Sequence, residues 1–129
     1  SDFSRINLTD ETDEIVNKIK KAKTDSLPLP LSIIELEKRP EAKNLIGIFS
    51  SLAGLTIENS LNEFSGKNFS LFKENLSQLL IEKIIPISFE IKKLLNDHNY
   101  LDSILIDGYK KADKIASKKV EKIHEIIGF

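Results

Sequence analysis

The chain has 129 residues, no cysteine, no methionine and a formal net charge of −1, with 40% hydrophobic and 30% charged residues. One domain with one core fits that length, and the composition is that of a soluble globular protein rather than a disordered one. Disulfides, thiolate metal sites and cysteine nucleophiles are excluded, and the near-neutral charge excludes a wholesale polyanion binder, so local charge must steer any charged partner. No apolar run approaches the length of a membrane span, and nothing reads as a signal peptide. The absent methionine, position 1 included, makes a piece of a larger gene product the expectation.

Ser1 to Leu8 reads as an extended lead-in. Thr9 or Asp10 is the expected cap of a first helix, with Asp10, Glu11, Asp13 and Glu14 in its first turn and Ile15, Ile19 and Ala22 inward. Its closing lysines, Lys18 to Lys23, follow the order that the helix dipole prefers and need no ligand. Pro28 and Pro30 force an extended crossover, and Ser32 to Lys38 reads as a short helical turn or a loop. Pro40 opens a second helix that stops at Gly54, with Leu45, Ile46, Phe49, Leu52 and Ala53 on its apolar side. Thr56 caps a third, with Ile57, Leu61 and Phe64 inward and Gly66 as its stop.

A fourth helix is expected from Ser70 to about Asn96, its broad apolar face running from Phe72 through Ile84 and Ile91 to Leu95. Pro86 inside it predicts a kink or a break. Asp97 to Tyr100 turns the chain into a last helix from Asn99 to Ile127. One side carries Leu101, Leu105, Ala112, Ile115, Ala116, Val120, Ile123 and Ile127, a stripe expected to pack on its own domain. The other side carries Lys111, Lys114, Lys118 and Lys122, with Lys110 and Lys119 beside them. Gly108 within this helix predicts a close approach by another helix. No stretch alternates long enough for a convincing strand, so the fold class is all-α, a bundle of about five helices. The chain divides into residues 1–31, the lead-in, first helix and crossover, and residues 32–129, the helical bundle.

A self-contained active site is not legible. His98 and His124 lack a second ligand at helical spacing, the Asp10–Glu14 acids fit a first helical turn better than a catalytic pair, and no phosphate-cradling glycine loop appears. The chemistry of the residues is that of a domain that binds something.

Several blocks, in order, carry a resemblance. Ser4-Arg5-Ile6-Asn7-Leu8-Thr9-Asp10 is followed by Lys18-Ile19-Lys20-Lys21-Ala22-Lys23-Thr24-Asp25, then Arg39-Pro40-Glu41-Ala42-Lys43-Asn44-Leu45 and Phe64-Ser65-Gly66-Lys67-Asn68-Phe69. Asp107-Gly108-Tyr109-Lys110-Lys111-Ala112 and Ile126-Ile127-Gly128-Phe129 close the chain. Together they resemble the C-terminal part of bacterial-type tryptophanyl-tRNA synthetase, a class I synthetase. The resemblance implies a helical domain that recognises the anticodon region of tRNA(Trp), in an enzyme that works as a homodimer and charges tRNA using ATP and Mg²⁺. It also implies a cytoplasmic bacterial setting, or an organellar one, with no DNA or membrane partner.

The HIGH-type and KMSKS-type signatures of that family are missing, Ser1 being either the last serine of the second or a residue shortly past it. The segment alone is therefore expected to bind no cofactor and to lack catalysis. Candidates for contact with RNA are Arg39, Lys43, Lys67, Lys110, Lys111, Lys114, Lys118 and Lys122, with Tyr109, Phe69 and Phe72 as stacking or core aromatics. The competing expectation is a helical protein–protein or dimer-supporting module that touches no RNA.

Overall fold

The computed structural model describes residues 2–128. Ser1 and Phe129, and with them the expected edge of the KMSKS-type loop and the last residue of the closing block, lie outside the described residues. Helices are the regular elements found: α1 (Thr12–Lys21), α2 (Ile33–Glu37), α3 (Pro40–Ala53), α4 (Ile57–Phe64), α5 (Phe69–Asn96) and α6 (His98–Ile127). The described residues contain no strand. The all-α expectation holds. The helix beyond the five expected is α2, which Ser32 caps by accepting the Glu35 N–H. The lead-in is not wholly extended, because Asp2–Ser4 form a 3₁₀ turn.

The chain forms two compact units, residues 1–89 and 90–129, with α5 crossing the division. In the first unit one core joins α1, the crossover and α2–α5 through Ile15, Ile19, Leu29, Leu36, Leu45, Ile46, Phe49, Phe64, Phe72 and Leu76. At its centre Phe64 meets Phe49 and Phe72 edge-on, with centroids 4.9 and 5.0 Å apart, the arrangement that ring quadrupoles favour. Ser50 and Ser60 are buried beside this cluster with their hydroxyls 2.8 Å apart, and Ser50 donates to the Ile46 carbonyl, so neither is left unsatisfied.

Local signals placed α3 and α4 correctly. Pro40 sits in the first turn of α3, whose end is the left-handed Gly54 at φ +68°, and Thr56 caps α4 through the Asn59 N–H. Leu52 is half-buried and Ala53 exposed, so the apolar side of α3 turns toward solvent in its last turn. Ile57 is likewise exposed, and Ser60 takes the inward place beside Leu61 and Phe64.

The cap of α1 is neither Thr9 nor Asp10. Glu11 and Glu14 form a reciprocal capping box, which releases Asp10 from the helix end. Asp10 instead sits buried against the Lys18 ammonium at 2.7 Å, with both side chains 5% exposed. The Asn7 backbone and side-chain N–H groups donate to the same carboxylate at 2.9 and 3.1 Å. Burial alone pushes this carboxyl up, but the Lys18 hydrogen bond, the two Asn7 donors and the Lys18 charge together hold it below the ordinary aspartate value.

At the start of α5 the cap is Asn68, which accepts the Leu71 N–H at 2.8 Å, rather than Ser70. Helix α5 is not broken at Pro86 but runs as one element through it. A proline deletes a single backbone donor, and a helix packed along its first half tolerates that. Burial along α5 ends early. Phe69, Phe72, Leu76, Ser77 and Leu80 are buried, Ser88 is the last buried position, and Ile87, Leu94 and Leu95 are exposed.

In the second unit the turn between helices is shorter than expected. Asp97 alone breaks the helix and caps α6 by accepting the Tyr100 N–H at 3.0 Å. The expectation that α6 buries its apolar face is overturned, since no residue of α6 is buried. Leu105, Ile115 and Ile123 are 69%, 66% and 54% exposed. Periodicity shows that the apolar residues share a side, and an uncovered stripe has the same periodicity as a covered one. Gly108 fails its expectation likewise, because a Cβ there would meet nothing within 4 Å.

Candidate functional site

Two regions carry groups able to meet a ligand, one in each unit. In the second unit the lysines of α6 stand behind its apolar stripe. Lys110, Lys114, Lys118 and Lys122 recur every four residues, so they rise by about 6 Å and drift by about 40° per step. Lys111 fills the side between Lys114 and Lys122. Acids bracket this face: Asp107 pairs with Lys111 at 2.7 Å, and Glu121 and Glu125 lie at its far end. Lys110, Lys114 and Lys118 have no ion pair among the described residues and form the free centre.

Tyr109 belongs to the opposite side. With it the stripe reads Leu101, Leu105, Tyr109, Ala112, Ala116, Val120, Ile123 and Ile127, at steps of four, four and three. An eleven-residue period keeps such a stripe nearly straight along a helix. Tyr109 is 68% exposed, on the apolar side of α6 and away from the lysines.

The other expected residues lie in the first unit, and most have internal partners. Arg39 forks onto the Asp25 carboxylate, with Nε–Oδ2 at 2.8 Å, and its guanidinium also donates to the Pro28 and Leu27 carbonyls at 2.6 and 3.3 Å. It lies over the Phe69 ring as well. These bonds fasten the crossover to the start of α3 and hold the Asp25 carboxyl below its ordinary value, the Arg39 hydrogen bond being the largest cause. Lys43 pairs with Glu37 at 2.6 Å, and the Lys67 ammonium lies 5.3 Å from the centre of the Phe64 ring. Phe72 is fully buried and Phe69 nearly so, which places both in the core.

Sequence reasoning missed a cleft of about 1010 Å³ between the outer side of α1, the crossover at 24–28 and the first half of α5. Val16 and Lys20 line it from α1, Leu27 and Pro28 from the crossover, and Asn68, Lys73, Gln78 and Ile81 from the α5 side. Its walls are fixed. Lys73 donates to the Ala22 and Lys20 carbonyls at 2.6 and 3.3 Å, where the negative end of the α1 dipole welcomes a cation. Partial burial pushes its ammonium below the ordinary lysine value. The Leu29 N–H donates to the Lys67 carbonyl, and the Gly66 N–H to the Leu29 carbonyl, which staples the crossover to the turn before α5. Gly66 makes that turn at φ +69°, a backbone conformation that favours glycine. From sequence, Lys20, Thr24 and Asp25 in one block of the resemblance and Asn68 and Phe69 in another belong to this region, but nothing in either block marks a cleft.

Among the described residues no three His, Asp or Glu side chains converge as a metal site, and no helix is long and apolar enough to cross a membrane.

No protein-family model matches the chain. Curated relatives do. The tryptophan–tRNA ligase of Mesorhizobium japonicum is 45% identical over 128 residues, 99% of this chain and 36% of that protein. That of Caulobacter vibrioides is 45% identical over 129 residues, 100% of the chain and 38% of the relative. The Rickettsia felis enzyme is 44% identical over 131 residues, again 38% of its length. The chain spans a little over a third of the curated relatives it matches. From end to end, the chain is therefore homologous to part of the bacterial-type tryptophan–tRNA ligases.

Proposed function

We propose that the chain is the tRNA-binding part of a tryptophan–tRNA ligase and that it engages the anticodon region of tRNA(Trp). The observation that carries this reading is the end-to-end similarity to bacterial tryptophan–tRNA ligases at about 45% identity. In a whole ligase of this kind, tryptophan activation with ATP and Mg²⁺ belongs to the other two thirds of the protein. The 129-residue chain alone then does not aminoacylate. Homodimer formation and a cytoplasmic setting follow from the same resemblance.

The α6 lysines are the side chains best placed for phosphate contacts, because their centre is free of ion pairs and fully in solvent. Of the expected contacts, Arg39 and Lys43 have competing internal partners. RNA contact is therefore assigned first to Lys110, Lys114 and Lys118, then to Lys111, which pairs with Asp107, and to Lys122 at the edge, with Lys67 separate in the first unit.

Replacing Lys111, Lys114 and Lys118 together by Glu tests the assignment. Affinity for tRNA(Trp) should fall, and the slope of log K against log salt should flatten by about 2–3, since up to three phosphate contacts no longer release counterions. Helical circular dichroism should be unchanged. Unchanged affinity removes the α6 face from the reading.

A second reading has an observation of its own. The uncovered apolar stripe of α6 fits a module that binds another protein surface or supports a dimer. A gel-shift titration with matched and anticodon-substituted tRNA separates the two. Discrimination between the tRNAs supports RNA reading, and equal or absent binding supports the module.

A further inference from the structure

We propose that the cleft of the first unit receives an unpaired nucleotide of the anticodon loop, with the base inside and its phosphate at Lys20. The proposal rests on the tRNA-binding reading above and gives it a location that the α6 lysines do not supply.

The charges around the cleft select a base rather than a run of phosphates. Lys73 is already committed to two carbonyls, and Asp25 is neutralised by the Arg39 fork. That leaves the Lys20 ammonium and the Glu74 carboxylate as the unpaired charges of the lining. One free cation in the lining suits one phosphate, and a carboxylate in the same lining repels a second. A carboxylate also accepts from an exocyclic base amine, as Glu and Asp do from cytosine N4.

The neutral groups suit a base edge. The Gln78 amide makes no hydrogen bond among the described residues, which leaves its oxygen and both hydrogens available. Asn68 uses its oxygen on the Leu71 N–H, so its NH₂ remains to donate. Val16 and Leu27 line the same space while 40% and 60% exposed, and a flat base would cover apolar surface now in water. Single-stranded RNA is read in this manner, by splayed bases held between side chains and hydrogen-bonded at their edges. The Arg39 fork, the Lys73 bonds and the two backbone bonds at Leu29 fix the walls beforehand, so little ordering cost falls on binding.

The test uses the whole 129-residue chain, tRNA(Trp), and the same tRNA with its anticodon nucleotides replaced one at a time. Gln78 and Lys20 are exposed, so Gln78→Leu and Lys20→Gln leave the fold intact, which circular dichroism checks. Gln78→Leu should weaken binding of the matched tRNA by about 3–10-fold, the scale of one or two neutral hydrogen bonds. It should leave the affinity for at least one substituted tRNA unchanged, so that discrimination falls. Lys20→Gln should weaken both tRNAs alike. Amide proton signals of the Gln78 and Asn68 side chains should shift when an anticodon stem-loop is added. Full discrimination in Gln78→Leu, with those signals unmoved, overturns the cleft while tRNA binding stands. A wild-type chain that binds no tRNA overturns the function reading and the cleft with it.

Discussion

Replacing Lys18 by Met should destabilise the first unit by about 2–4 kcal/mol. The side chain is 5% exposed and its ammonium lies 2.7 Å from the Asp10 carboxylate, so the substitution removes the cation and strands a buried anion. Breaking a buried pair in this way costs about 3–5 kcal/mol. The two Asn7 donors remain on the carboxylate and return part of that, which places the expectation toward the lower end. Against a total stability of about 5–15 kcal/mol the change is large.

Urea unfolding followed through the methyl resonances of Ile15 and Ile46 reports this unit alone. The pH dependence gives an independent check. In the wild type the folded carboxyl titrates below the ordinary aspartate value, so the pair contributes fully above that value and its contribution fades as pH falls through the lower folded one. In Lys18→Met the penalty should shrink over the acidic range, because a protonated Asp10 needs no cation. A further Asp10→Asn change should recover part of the loss near neutral pH. A Lys18→Met protein within about 0.5 kcal/mol of wild type, or a penalty independent of pH, refutes the argument.

Two more predictions concern the rest of the fold. Phe72→Ala removes the fully buried ring that Phe64 meets edge-on, and should cost about 3–5 kcal/mol by the same methyl-resolved titration. Gly108→Ala should raise the helicity and melting temperature of α6 by an amount corresponding to about 1 kcal/mol, since the added methyl meets nothing and the helix gains a better former. A loss of tRNA affinity in Gly108→Ala at unchanged helicity would show instead that a partner approaches the bare backbone there.

What the sequence reveals and conceals follows from the range of each signal. Pro40, Gly54, Thr56 and Gly66 act on the backbone within a turn of themselves, and the helix ends they predict are where they should be. Asp10 misleads because an acid just before a helix suits both a cap and a buried pair, and only the reach of Lys18, eight residues on, decides between them. Arg39 misleads in the same way. It stands at a helix start as a phosphate ligand would, yet its carboxylate partner is fourteen residues earlier. The cleft is harder still, since Lys20 and Gln78 are far apart in sequence and share it only because α1 and α5 feed one core and Lys73 of α5 bonds the carbonyls at the end of α1. That the apolar side of α6 stays uncovered could not be read at all, because amphipathic spacing names a side and not its neighbour.

The four-four-three spacing on α6 also governs which length changes this helix can absorb. One deleted residue turns everything beyond it by about 100°, which would carry Glu121, His124 and Gly128 into the places of Val120, Ile123 and Ile127. Eleven residues make three turns with about 20° left over, and keep both faces aligned. Insertions and deletions between Leu101 and Ile127 should therefore be tolerated as whole elevens, and single-residue indels there should be more damaging than any single substitution in the helix.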